Sequence, residues 1–218
     1  MSWDSEYVLN RRPWGNNPSE LALIAAAHLR ELPLLAKKPR IIDIGCGYGR
    51  DTFYLSDQLG LPVLGIDNSE TAIGAAMSAT SKGRTNVSFT CQDFRDIKDE
   101  FFGVCFASNL YHLLNHSDRK EFQRKIQSLM GDGSLLFLNA LSVNDREEYG
   151  KGAPVPGDVN SFVGDKYLHF FTRRELLDDF WFLDVRELYE HSYDEPHENG
   201  PTHHHMSWIL IGEPKPIE

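Results

Sequence analysis

Ile41-Ile42-Asp43-Ile44 runs straight into Gly45-Cys46-Gly47-Tyr48-Gly49-Arg50-Asp51, and no other stretch limits the fold so tightly. An apolar run, glycines at alternate positions and a helical pattern behind them spell strand, tight turn and helix start. Such a turn leaves its backbone bare enough for a ligand to lie against it. A dinucleotide turn spaces its glycines G-x-G-x-x-G and sets a pyrophosphate on the helix N-terminus. Here the third glycine comes one residue early, Arg50 follows it, and Asp43 stands two residues before the first glycine. A carboxylate there repels a pyrophosphate and suits a cationic ligand bearing an ammonium or a sulfonium. Asp43 has a second reading, as a cap on a neighbouring backbone group, because an acid in an apolar strand is costly unless paired.

Strand and helix patterns alternate after the turn. Strands are expected at Leu61 to Asp67, Val87 to Cys91, Phe102 to Ser108 and Ser134 to Leu141. Helices are expected from Phe53 to Gly60, Ser69 to Ser81 and Asp118 to Met130. Upstream, Asn17-Pro18-Ser19-Glu20 reads as a helix start with Asn17 as cap, while Trp3 to Trp14 has no clear period. Ser142 to Phe171 has glycines, prolines and no sustained period, which marks a lid-like insertion. Thr172 to Glu175 is a capping box, and Asp184 to Tyr193 with His203 to Gly212 form a closing antiparallel hairpin. The expected fold is α/β, a Rossmann-like, mostly parallel sheet with helices on both faces. It is read as a single domain over 1–218, with an N-terminal cap segment 1–33 and the insertion at about 142–171.

Composition narrows the partners. The formal net charge is −10 and no basic stripe interrupts it, with Arg119, Lys120, Arg124 and Lys125 reading as solvated helix surface. A polyanion is therefore disfavoured, so no nucleic-acid partner is expected, and neither is a membrane. Cys46, Cys91 and Cys105 fall in or beside strand patterns as reduced, buried thiols, and the N-terminus lacks a signal-peptide pattern. Together these imply a cytoplasmic protein with a small-molecule substrate. Oligomeric state is not legible.

The run D-x-G-x-G-x-G over Asp43 to Gly49 resembles motif I of the class I S-adenosylmethionine-dependent methyltransferases. The alternating chain with an antiparallel finish also resembles their seven-stranded fold, over roughly Arg40 to Gly212. In finer detail, Asp43 to Arg50, Phe170-Phe171 with Glu175-Leu176, and His197 to His205 are similar to the tellurite-resistance-type small-molecule methyltransferases. The resemblance implies S-adenosylmethionine as cofactor. It sets Gly45, Gly47, Gly49 and Arg50 along its methionine half and ribose, and Asp43 against its ammonium. Asp67 and Asn68 at the end of strand two would take the ribose hydroxyls, with a helix cap as the plainer alternative for the acid. Asp93 would take the adenine amino group and Phe94 would lie along the base.

Ser108-Asn109-Leu110-Tyr111-His112 ends strand four, where open α/β sheets place their chemistry. Asn109 is read as a cofactor contact. It lacks the prolines of the N-P-P-Y pattern found in nucleic-acid and glutamine methylating relatives, which leaves small molecules favoured. His112, His203 and His205 are the candidate general bases, His112 having a packing role as its alternative. Strand alternation puts His203 and His205 on one face and His204 on the other. Trp14, Tyr111, Tyr167 and His197 are the candidate acceptor contacts, each aromatic having a core position as its alternative; Tyr7 and Trp208 are further candidates. No metal is expected. The acceptor is read as a small molecule, such as a thiol or chalcogen oxyanion that needs no base, or a hydroxyl or amine that does. The rivals are a cofactor-binding regulator without catalysis and a nicotinamide-dependent oxidoreductase.

Overall fold

β1 (Ile41–Ile44) lies between β2 (Val63–Asp67) and β4 (Phe102–Ala107) in the computed structural model, which describes residues 3–9, 12–80, 84–98, 100–195 and 202–216. With β3 (Val87–Cys91), β5 (Met130–Leu141), β9 (Leu183–Glu195) and β10 (His203–Pro214), these form a seven-stranded sheet of order β3-β2-β1-β4-β5-β10-β9. β1 to β5 pair in parallel, and β10 runs antiparallel to both β5 and β9. The chain leaves β1 towards β2 on one side and later returns to β4 on the other. That reversal opens a crevice at the carboxyl ends of the strands, where ligands of such sheets bind.

Strand alternation divides the core between the two faces. Ile42, Ile44, Cys105, Leu136, Leu138 and Leu210 pack with Phe122 and Ile126 of α5 (His116–Leu129) and Leu176 of α6 (Arg173–Asp179). Ile41, Val63, Val104, Phe106, Phe137 and Ile209 pack with Leu21, Ala25 and Leu29 of α2 (Glu20–Arg30) and Leu55 of α3 (Arg50–Leu59). α4 (Glu70–Ala79) covers β2 and β3 with its small residues Ala72 and Ala76 buried. The expected fold class is the observed one.

Local departures from the sequence reading have simple causes. Trp3 to Leu9 forms a helix, α1, where no period was read, and it packs on α4 through non-local contacts. Ser19, not Asn17, caps α2, its hydroxyl accepting from the Ala22 N–H at 3.2 Å. Asn115 caps α5 in the same way, so that helix opens before Asp118. The insertion after β5 is not structureless. It holds a three-stranded antiparallel sheet of β6 (Ala153–Pro154), β7 (Ser161–Val163) and β8 (Tyr167–His169), and Ser142 bridges Phe171 at its base. Thr172 caps α6 by accepting from the Glu175 N–H, as the capping box requires.

Candidate active site

The glycine turn folds back on the end of β2. Gly45 and Cys46 both donate their N–H groups to the Ile66 carbonyl, at 2.8 and 2.9 Å. Gly47 and Gly49 adopt φ of 54° and 84°, a region closed to most side chains. A Cβ on Gly47 would stand 2.6 Å from the Tyr7 hydroxyl, and one on Gly49 would stand 2.7 Å from the Phe89 ring. The bare backbone is therefore filled first by the protein itself. Gly49 faces Phe89 and Phe53 and is not among the residues that line the cavity above the turn.

A cavity of about 240 Å3 opens above this turn at the carboxyl ends of β1, β2 and β4. Of the candidate cofactor residues, Asp43, Gly45, Gly47, Arg50, Asp67, Asn68, Asp93, Phe94 and Asn109 all line it, and so does Trp14. Asp67 accepts from the Gly47 and Ser69 N–H groups, each at 2.9 Å, so it ties the turn and starts the next helix at once. Burial raises its pKa, against the pull of those N–H bonds. Asp43 is 2% exposed and accepts the Thr52 hydroxyl at 2.5 Å. Burial, with Asp51 beside it, pushes its pKa up to about 8. Asp93 caps the short turn that carries Phe94 and pairs with Arg95 at 2.8 Å.

The wall also holds Tyr7, a further candidate of the sequence reading, and two residues that reading passed over, Trp3 and Asp51. Trp3 and Tyr7 recur at helical spacing on α1 and cluster with Trp14, their ring centroids 6.0 to 6.4 Å apart. Asp51, in the first turn of α3, accepts both the N–H and the hydroxyl of Ser19 at 2.7 Å. It pins the start of α2 to the cavity from 32 residues away, a link no local pattern carries.

Behind the β4 end lies a second polar group, joined to the cavity wall through Asn109 and Arg50. Asn109, at φ 53°, exchanges hydrogen bonds with Asn139 of β5, both at 2.7 Å. Its amide donates to Glu195 Oε1 at 3.0 Å, and Arg50 Nη2 stands 3.6 Å from the same oxygen. The other oxygen, Oε2, lies 3.9 Å from His205 Nε2. His205 Nδ1 in turn lies 3.1 Å from Asp145 Oδ2. Asp145 also accepts the N–H groups of Glu147, Glu148 and Met206. Burial works to lower the His205 pKa, but the Asp145 bond and the Glu195 charge raise it on balance. His203 lies beside it, ring centroids 6.0 Å apart, 3.7 Å from Glu148 Oε1. His204 turns to the opposite side, on Ser192 and Asp194.

Several candidates fall elsewhere. His112 is buried off the cavity wall, its Nδ1 has no partner among the described residues, and burial pushes its pKa down to about 3. A base needs a pKa nearer the working pH, so His112 fits its alternative as a packed residue. Tyr111 is fully buried, stacked on Phe171 with its hydroxyl on Asp179, and is core rather than an acceptor contact. Tyr167 is committed to Arg119, Asp158 and Ser161, away from the cavity. Trp208 is also core, its indole N–H on the Phe171 carbonyl. Arg119 is not solvated surface: it is 3% exposed and joins α5 to the insertion by pairing with Asp158 at 2.8 Å. Cys91 is exposed, unlike Cys46 and Cys105. His197 lies outside the described residues.

A model of the methyltransferase domain family matches residues 41–133, the span from β1 through β4 to the start of β5. A Schizosaccharomyces pombe protein named as a methyltransferase is 32% identical over 112 residues, covering 50% of this chain and 76% of its own. The chain belongs to the class I S-adenosylmethionine-dependent methyltransferases. Solved structures agree in architecture. TehB of Haemophilus influenzae superposes with a TM-score of 0.66 over 89% of this chain and 61% of its own, at 19% identity. A Pyrococcus horikoshii protein superposes with a TM-score of 0.72 over 98% of this chain and all of its own, at 16% identity. For this methyltransferase the cofactor is S-adenosylmethionine.

Proposed function

We propose that the cavity above the glycine turn holds S-adenosylmethionine and that the chain passes its methyl group to a small molecule arriving beside Arg50 and Asn109. The observation that carries this reading is the charge of the wall. Five acids line it, Asp51, Asp67, Asp93 and Asp118 together with Asp43, which holds its proton up to about pH 8 until a cation displaces it, against two cations, Arg50 and Arg95. Both arginines are already paired, Arg50 with Glu195 and Asp51, Arg95 with Asp93, Asp118 and Glu121. A cavity of this sign repels a pyrophosphate and favours a ligand of net positive charge. The donor set fits the cofactor. Asp67 suits the ribose hydroxyls, Asp93 and Phe94 suit the adenine, and Asp43 suits the positive end.

When bound, S-adenosylmethionine supplies an electrophilic methyl group on a sulfonium. The chain's part is to align the acceptor, exclude water and hold a charge-matched wall. Trp3, Tyr7 and Trp14 close the wall on the α1 side, and the β9–β10 hairpin reaches the other side through Glu195. An anionic acceptor such as a chalcogen oxyanion or thiolate needs an uncommitted cation, and the two lining arginines are committed. That favours a neutral or cationic small molecule.

Thermal-shift measurements with S-adenosylmethionine, S-adenosylhomocysteine, NAD and NADP test the reading. Stabilisation by the first two is expected, and a shift with NAD or NADP alone overturns it. Cofactor binding without methylation of any acceptor would favour the regulator instead.

A further inference from the structure

The gap between Glu195 and His205 is the least settled contact near the cavity. Their facing atoms, Oε2 and Nε2, stand 3.9 Å apart. A committed carboxylate–imidazolium bond closes to about 2.7–2.9 Å, so neither atom is spent on the other. Among the described residues no hydrogen bond reaches Glu195 Oε2. Each group is nevertheless fixed from behind. Asn109 and Arg50, both on the cavity wall, hold Glu195 Oε1, while Asp145 holds His205 Nδ1. With Nδ1–H directed at the Asp145 carboxylate, the neutral imidazole presents its lone pair at Nε2. Two acceptors are thus held rigidly beside one another, next to a wall of negative charge.

We infer that the acceptor is an amine, its nitrogen donating one N–H to Glu195 Oε2 and yielding a second proton to His205 Nε2. An atom placed about 2.9 Å from each acceptor subtends about 85° between them, a spread that two N–H bonds of one nitrogen can meet. A phenol or alcohol has one proton to give and leaves one acceptor unanswered. A thiolate or oxyanion has none and would face the Glu195 carboxylate directly. The nitrogen's lone pair forms the new N–C bond as the S–C bond of the donor breaks, the bonding pair leaving on sulfur. The released proton resides on Nε2 as imidazolium, which Asp145 and Glu195 stabilise.

This inference rests on the proposed methyl transfer, and the experiment separates the two. Binding of S-adenosylhomocysteine is measured first by calorimetry; its absence removes the underlying reading and this one with it. Methyl-labelled S-adenosylmethionine is then presented with panels of small primary and secondary amines, thiols, phenols, carboxylates, and selenite and tellurite. Label on amines is expected. With cofactor binding intact, label on the other panels alone, or on none, overturns the amine assignment. Glu195→Gln keeps an oxygen for Asn109 and Arg50, and His205→Gln removes the basic nitrogen. Each is expected to lower kcat/KM for the labelled amine by roughly 10²-fold, while the Kd for S-adenosylhomocysteine moves by less than about threefold. An amine methylated equally well by both variants removes Glu195 and His205 from the acceptor site.

Discussion

Thr52 donates its hydroxyl to the Asp43 carboxylate at 2.5 Å, beneath the glycine turn and out of reach of solvent. This bond is too little to keep Asp43 ionised against its burial and the nearby Asp51, and its pKa stands at about 8. An unfolded carboxyl titrates near 3.8. Between those values the folded chain holds a proton that the unfolded chain has released, so this group's contribution lowers stability as pH rises. Asp43→Asn is expected to gain in Tm on the wild type as pH rises from about 5 to about 8.

Cofactor binding should run with the opposite sign. A cation at Asp43 prefers the carboxylate ionised, so below about pH 8 binding must expel the proton. Affinity for S-adenosylmethionine is expected to strengthen from about pH 6 to about pH 8, by at most about tenfold per pH unit, and then level off. Asp43→Asn should flatten that profile. Calorimetry in two buffers of different ionisation enthalpy reads the released proton, and an equally steep profile in the variant would refute the linkage.

Tyr7 and Gly47 are coupled by contact. Gly47→Ala meets both the left-handed φ of 54° and the Tyr7 hydroxyl at 2.6 Å. Its expected cost is about 2–4 kcal/mol, read by urea unfolding. Tyr7→Phe removes the hydroxyl, and the next ring atom stands at 3.4 Å. In the double variant about 1–2 kcal/mol should return, leaving the backbone cost. Strictly additive effects would show that α1 does not press on the turn.

Arg119 and Asp158 form a buried pair, their side chains 4% and 11% exposed. Removing one partner strands a charge, so Arg119→Met should cost about 3–5 kcal/mol at neutral pH. Arg119→Met with Asp158→Asn should cost less. Burial raises the Asp158 pKa, but the Tyr167 and Arg119 bonds lower it on balance. Its contribution is therefore present above the unfolded value of 3.8 and lost as pH falls through the folded one. The single variant should lose less stability than the wild type on acidification below about pH 4.

The same pair shows where sequence reading ends. β1 to β4 and the glycine turn were legible because each is declared by neighbours in the chain: alternation, punctuation and a cap. Arg119 looked like surface because its partner lies 39 residues on, in an insertion whose strands span only two or three residues. Runs that short cannot display a period. The cavity's Asp67, Asp93 and Asn109 were legible as strand-end polar residues. Asp51 was not, since its partner Ser19, 32 residues earlier in the chain, caps a helix that precedes β1.

His112 supplies the sharpest contrast between motif position and chemistry. It follows strand four, where a base would be sought, yet it is buried with its Nδ1 unpartnered among the described residues. Burial first, and then the His205 charge, press its pKa down to about 3. The unfolded histidine, near 6.5, takes up a proton that the folded one refuses, so this group's contribution to stability falls as pH drops below 6.5. His112→Leu removes both the orphaned nitrogen and that penalty. It should be as stable as the wild type at neutral pH, or up to about 2 kcal/mol more stable, with the advantage widening towards about pH 5. Its kcat should keep the wild-type pH profile. A general base at this position would instead cost roughly 10²–10⁴-fold in kcat, and a loss of that size in a folded His112→Leu protein would return His112 to the active site.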